Sequence, residues 1–449
     1  KMEEQGQDPS VVTTVGAFPE VVEAGPFKVS FLPVSHSIPE SAGLVIDTPL
    51  GRVVHTGDFK LDGNPLVGEP FDPKLWHSVA KERKVKALTC DSTNVFVPTP
   101  GRSEATLGQA IEELIAGANG MVAATTFASN VARVRTLAVA ARNAGRTVVL
   151  LGRAMKRMIA TAVETGVLTD FPPTVAPEEA EQIPRDHLML IVTGSQGERR
   201  AATAQLSRGK YLGFELKEGD TFLFSSKTIP GNERSVLKIM NAFSEIGVEV
   251  VDDREGRYHV SGHANRPDLE AVHDLMQPDI LIPMHGEHRM LREHARLGQA
   301  KGIASEIVPN GTMVDLTGEA PEIVEYIETG RTYLDGSALI GALDGVVRDR
   351  IRMALNGHVL VTLIVEDDAL LGEAWAELMG LPESGRSRRV LAEVIEADVT
   401  ELLGRAGRKV LRDDDKIDDA VRRVVRQAAL EEVGKKPEVT VVVSRLSAG

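Results

Sequence analysis

Metal or acid–base chemistry in this chain is expected from histidine and carboxylate, because its 449 residues hold eleven histidines and a single cysteine, Cys90. One thiol excludes an internal disulfide and a thiolate zinc cluster. Three candidate ligands stand at strand ends: His36 closes Val34-Ser35-His36, Asp58 closes His55-Thr56-Gly57-Asp58, and His285 closes Pro283-Met284-His285. Neutral imidazole with carboxylate is a donor set that a borderline ion such as zinc accepts, and strand-end loops can converge on one point. Three unrelated loop residues would read the same way. His288 follows His285 at an H-x-x-H spacing but lacks a second acidic partner on a helix, which makes it a weak zinc signal. His77, His187, His273, His294 and His358 read as surface or packing residues without partners, and His55 as alternating away from Asp58.

The elements that must position these residues fall into two rhythms. In the first hundred residues, Phe27, Val29 and Phe31 alternate with polar neighbours, and Leu44–Asp47 and Arg52–His55 flank a Pro/Gly turn at Thr48-Pro49-Leu50-Gly51. A strand at Val85–Thr89 runs into Cys90-Asp91-Ser92-Thr93-Asn94. From about Leu107, strands at 121–124, 147–151, 188–192, 221–224 and 248–251 alternate with helical patterns, which implies a parallel sheet with crossover helices. The polar loops after its strands, including Ser129-Asn130 and Ser225-Ser226, would lie outside the carboxyl ends, where hydroxyls and helix N-termini favour phosphate. Each loop is also readable as a plain helix cap. Residues 317–344, rich in Glu, Gly and Asp, read as a linker before a small α/β domain.

Composition bounds the function. Hydrophobic residues at 42% and charged residues at 26% describe a folded chain of about three domains. No apolar stretch approaches the roughly 20 residues of a membrane span, and no signal peptide opens the sequence, so a cytoplasmic location is expected and no membrane partner. A net charge of −14 excludes indiscriminate nucleic-acid binding but leaves room for a basic groove. The opening Lys1-Met2-Glu3 is helix-interior in character, and further sequence upstream is expected.

Five ordered motifs give a resemblance: Pro33-Val34-Ser35-His36-Ser37-Ile38-Pro39-Glu40, His55-Thr56-Gly57-Asp58, Cys90-Asp91-Ser92-Thr93-Asn94, His259-Val260-Ser261-Gly262-His263-Ala264 and Pro283-Met284-His285-Gly286-Glu287. Together they resemble bacterial ribonuclease J from about Val21 onward. The resemblance implies an α/β chain: a metallo-β-lactamase fold, partial here, with an inserted β-CASP parallel-sheet domain and a small C-terminal α/β domain. The boundaries implied are 1–104 and 266–330 for the metallo-β-lactamase segments, 105–265 for the insertion, 331–349 for a linker and 350–449 for a dimerisation domain.

It further implies two Zn2+ ions, with His36 on one, His285 on the other and Asp58 bridging, His263 at the scissile phosphate, and Asp91 supporting the site. Ser129, Asn130, Ser226, Ser261, Gly262 and His263 would contact RNA phosphates, preferentially at a 5′-monophosphate end, in a homodimer or homotetramer. The expected activity is a zinc-dependent 5′-to-3′ exoribonuclease with possible internal cutting, in RNA maturation and decay. The family's His-x-His-x-Asp-His motif has no counterpart in these 449 residues, which leaves two protein ligands per zinc and an expectation that this chain alone is inactive. A non-catalytic RNA-binding or assembly protein of the same fold is the alternative; a small-substrate hydrolase is disfavoured by the inserted sheet.

Overall fold

The computed structural model describes residues 2, 5–253, 256–342 and 344–446; Lys1 and Glu3, part of the helix-like opening, lie outside the described residues. Strands follow in the order β1 (Val22–Ala24), β2 (Phe27–Pro33), β3 (Ala42–Thr48), β4 (Gly51–His55), β5 (Val85–Asp91), β6 (Val122–Thr125), β7 (Thr147–Leu151), β8 (Leu188–Val192), β9 (Thr221–Phe224), β10 (Glu249–Val251), β11 (Ile280–Met284) and β12 (Ala304–Ser305). The chain divides into two compact units, Lys1–Ile327 and Glu328–Gly449.

The first unit holds two sheets. One has the order β1-β2-β3-β4-β5-β11-β12, antiparallel from β1 to β4 and parallel from β4 to β12. Alternating apolar residues of these strands pack on Trp76 and Val79 of helix Pro73–Glu82, on Leu269, Val272 and Met276 of helix Arg266–Met276, and on Leu297 of helix His288–Ala300. Asp72 starts the first of these helices by accepting from the backbone N–H groups of Lys74 (2.8 Å) and Leu75 (3.2 Å). The second sheet, inserted between β5 and β11, has the order β10-β9-β6-β8-β7 and is parallel throughout. Helices cover both of its faces, so β8 reads Leu-Met-Leu-Ile-Val with every side chain buried rather than alternating.

One reading changes. The stretch 331–349, taken as a linker, is structured: Thr332–Asp335 pairs antiparallel with Ala338–Gly341, and helix Val346–Asn356 follows. Residues 312–315 and 322–326 form another two-stranded ladder. These strands lie mostly exposed, so no apolar alternation marks them. The local signal present is Gly336-Ser337 between the paired Asp335 and Ala338, with Gly336 at φ +65°, the two-residue hairpin loop that glycine permits. In the second unit, His358–Glu366 pairs with Trp375–Met379 and, in parallel, with Glu438–Leu446, and helices Leu391–Gly404 and Asp414–Val433 bury one face.

The inserted sheet is tied to the chain leading back to the first by a buried guanidinium. Arg133, wholly buried, pairs with Glu104 through Nε and through Nη2 (2.8 Å), while Nη1 donates to Ser225 O (2.9 Å), Ser225 Oγ (3.0 Å) and His259 Nδ1 (3.1 Å). Arg133→Met would leave the Glu104 carboxylate charged and uncompensated. Unfolding free energy in urea is expected to fall by about 3–5 kcal/mol, and the double variant Glu104→Met/Arg133→Met to regain part of that loss. An Arg133→Met protein as stable as the parent would contradict this account.

Candidate active site

Strand direction explains why distant residues meet. Strands β2 and β4 run the same way because each is antiparallel to β3, and β5 and β11 are parallel to β4. Their carboxyl ends therefore share one edge, and His36, Asp58, Asp91 and His285 all follow or close those ends. Cross-loop backbone bonds fix the convergence: Lys60 N–H donates to Ser35 O (2.8 Å), and Ala264 N–H to Phe59 O (2.6 Å). The Asn94 amide donates to Ser261 Oγ (2.9 Å), His263 O (3.2 Å) and Asn265 Oδ1 (3.0 Å), which holds the Ser261–His263 loop over the strand ends. Gly262 permits that approach, since a Cβ there would sit 2.8 Å from the His36 ring. His285 itself turns into the left-handed region at φ +52°, a conformation that residues other than glycine adopt sparingly and that is concentrated at functional sites.

Four of the expected residues form one cluster: Asp58, Asp91, His263 and His285 each present a ligand atom, all within 4.8 Å of one another. Asp91 is the anchor, with its side chain 1% exposed. Its Oδ1 accepts from Thr93 N–H (2.9 Å) and Thr93 Oγ1 (2.6 Å), its Oδ2 from His263 Nδ1 (2.7 Å), and His285 Nδ1 lies 3.4 Å from Oδ1. Burial pushes this carboxyl up, but the bonds from His263, His285 and Thr93 outweigh it and hold the group well below the ordinary carboxylate range. His285 also lies 3.3 Å from Asp58, and its pKa is raised, first by the Asp91 bond and against the effect of burial. His36 stands beside the cluster, its ring 5.2 Å from that of His263 and its Nδ1 donating to Gly262 O (2.7 Å). Burial lowers its pKa, and the bond to the carbonyl works the other way. With Nδ1 so engaged, Nε2 keeps its lone pair.

This donor set fits a metal. Two carboxylates and two imidazoles converge on one point instead of separating into pairs, and hard-to-borderline cations are the partners such groups take. Asp58, Asp91, His263 and His285 are the residues whose ligand atoms could hold an ion there. His288 is exposed at the start of its helix, apart from the cluster.

A cleft of about 460 Å³ opens beside the cluster, lined among others by Ser226, Ser261 and His263 together with Arg102, Lys227 and His259. The two cations are site features that sequence reading missed, since neither belongs to a motif. Asn130 lies with His36, Ser261 and Gly262 around a smaller adjoining cavity, and its Oδ1 accepts from Arg133 N–H (3.0 Å), so it also caps helix Val131–Asn143. Ser129 precedes it, half-buried. Thr93, read only as part of a motif, bridges Asp91 and His285, with its Oγ1 3.0 Å from His285 Nδ1.

A metallo-β-lactamase sheet interrupted by a parallel β-CASP sheet, with carboxylates and histidines at the strand ends, defines a β-CASP metallo-hydrolase. Family models agree: "Ribonuclease J, beta-CASP domain" matches residues 119–243, "Zn-dependent metallo-hydrolase RNA specificity domain" residues 249–309, and "Ribonuclease J C-terminal domain" residues 345–446. The chain is 40% identical to Ribonuclease J of Sinorhizobium meliloti, across 95% of this chain and 76% of that protein. It is 36% identical to Ribonuclease J 1 of Streptococcus pyogenes (82% and 68%) and 34% identical to Ribonuclease J of Mycolicibacterium smegmatis (93% and 75%). The chain belongs to the ribonuclease J family.

Two histidines read as partnerless are not. His273 and His294 are buried, meet Nε2 to Nε2 at 3.1 Å, and His294 Nδ1 lies 2.8 Å from Ser92 Oγ. Burial pushes His273 down to about 4 and His294 down to about 3, so both are neutral when folded. An unfolded chain, with imidazoles near 6.5, takes up these protons first, so stability from this source is complete above about pH 6.5 and is lost as pH falls toward 4. At pH 5 the expected loss is about 2 kcal/mol per histidine relative to pH 7. Urea midpoints at the two pH values, compared with those of His273→Gln, check this: an unchanged pH dependence in the variant would refute it.

Proposed function

We propose that this chain carries most of a two-zinc ribonuclease site that degrades RNA from the 5′ end and can also cut internally. The chain carries the domains of a metal-dependent RNA-hydrolysing enzyme, and RNA processing is the setting of that family. The observation that carries the finer reading is the convergence of Asp58, Asp91, His263 and His285 beside a cleft that mixes hydroxyls with Arg102 and Lys227. His36 would serve one zinc, His285 the other, and Asp58 both. When bound, such ions polarise a phosphoryl oxygen and make water a nucleophile near neutral pH. His263, held through Nδ1 by Asp91, would direct Nε2 at the scissile phosphate, to stabilise charge there or protonate the leaving oxygen. Ser129, Asn130, Ser226, Ser261 and Gly262 would supply donors to RNA phosphates.

His36 with Asp58, and Asp58 with His285, give each ion two protein ligands, one below the three usual for catalytic zinc. The 449 residues by themselves are therefore expected not to cleave RNA. Asp58→Ala should lower the zinc retained per chain in equilibrium dialysis while leaving the circular dichroism spectrum unchanged, and retained zinc equal to the parent's would exclude the bridging role. In protein with a complete ligand set, the cleft should favour a 5′-monophosphate, whose charge of about −1.5 to −2 its donors can satisfy, over a bulkier triphosphate. Ser261→Ala should narrow that preference more than it slows internal cutting. Equal digestion of 5′-monophosphate and 5′-triphosphate forms of one RNA would overturn the assignment.

We also propose a cytoplasmic homodimer or homotetramer joined through residues 328–449. Among the described residues no helix is long and apolar enough to cross a membrane. Light scattering of the full chain against one ending at Ile327 is expected to show a smaller assembly for the shorter chain, and equal assembly would rule out this role.

A further inference from the structure

A second group of metal-ligating side chains lies apart from the strand-end cluster. Cys90, His273 and His294 each present one ligand atom within 4.8 Å of the others, and all three are at most 1% exposed. They come from three elements: Cys90 from β5, His273 from helix Arg266–Met276 and His294 from helix His288–Ala300. Leu88, Val272, Met276, Leu281 and Leu297 belong to the same buried cluster as Cys90, so the surroundings are apolar.

One proton between the two Nε2 atoms, 3.1 Å apart, makes a single hydrogen bond, and Ser92 engages Nδ1 of His294. Nδ1 of His273 is left buried with no hydrogen-bond partner. Ligation through Nε2 would leave that nitrogen as it is; what points to an ion is the convergence of three ligand atoms from three elements on one place. The spacing also suits a shared ion: two nitrogens bound at about 2.0 Å to a tetrahedral centre stand about 3.3 Å apart, within a few tenths of an ångström of the separation seen.

We propose that Cys90, His273 and His294 form a structural site for one thiophilic d10 cation, Cu+ or Zn2+, loaded as the chain folds. Thiolate sulfur with two imidazoles is a donor set that both ions accept. Charge balance ranks Cu+ first, because one thiolate and two neutral imidazoles around a monovalent ion leave no net charge in the core, whereas Zn2+ leaves +1 and asks for a fourth ligand. The ion would pin the end of β5, where Cys90 precedes Asp91, to the helices on either side of β11, whose next residue is His285. No ligand is shared with the Asp58–His285 cluster, so this site stands or falls independently of the catalytic reading.

Cys90 is the chain's single thiol, which makes a metal–thiolate signal specific to this site. The test refolds the full chain from denaturant under reducing, anaerobic conditions with Cu+ or with Zn2+, removes loose metal, and records X-ray absorption at the metal edge. The expected result is a metal–sulfur path near 2.3 Å for at least one of the two metals, lost in Cys90→Ser. The metal that gives the path identifies the cation. His273→Gln, which keeps the thiol but removes a ligand, should weaken retention of that ion in chelator competition by more than the roughly 10–100-fold that loss of an outer-shell partner causes. Absence of the path with both metals in the parent chain, or its persistence in Cys90→Ser, would overturn the proposal; if Cys90→Ser does not refold, the parent spectrum and His273→Gln decide it.

Discussion

A carboxylate sealed from water must be met by donors on every side or give up its charge, and Asp91 is that carboxylate. The requirement reaches outward. His263 can satisfy Oδ2 only if the 259–264 segment folds down over the strand ends, and that segment is held by Asn94 from one side and by the Arg133–His259 contact from the other. Thr93 can satisfy Oδ1 only because the backbone bends at the end of β5, which also brings its hydroxyl to His285. Removing any one partner would return the desolvation cost of Asp91 to the fold, so the site and the local stability share the same hydrogen bonds.

The two sheets divide the work. The mixed sheet lends its strand ends as rigid supports for ligands, which loops alone would hold less accurately. The parallel sheet contributes polar loops and Lys227, and Arg102 comes from the chain that leads into it. Arg102 and Lys227 line one cleft together with Asp252 and Asp253, so that cleft sets cationic and hydroxyl donors beside the strand-end cluster with acidic neighbours that balance their charge.

Much of this was legible in the residues. Strands β2 to β9 announce themselves by alternation or by continuous apolar runs, because burial on one face or two leaves that pattern in the chain. Convergence did not show, since the shared edge of His36, Asp58 and His285 follows from which neighbours pair antiparallel and which parallel, and spacing along the chain carries no record of that. The hairpin at 332–341 escaped because its strands are exposed and Gly336-Ser337 is a short signal within an acidic, glycine-rich stretch. His273 and His294 escaped for a different reason: on amphipathic helices a buried histidine looks like any other inward residue, and its partner is chosen by helix packing.

The insertion of one sheet within another also orders events in time. Met284 lies in register with Asp91 across β11 and β5, yet His285 and Asp91 are separated by 194 positions. At about 5–20 residues per second, a ribosome takes about 10–40 s to pass from one to the other. For most of that interval the nascent chain has Asp58 and Asp91 but neither His263 nor His285, and throughout it lacks His285, so it has no assembled centre. The centre is thereby among the last features of the first unit to be assembled, since it waits for the whole inserted domain and for β11.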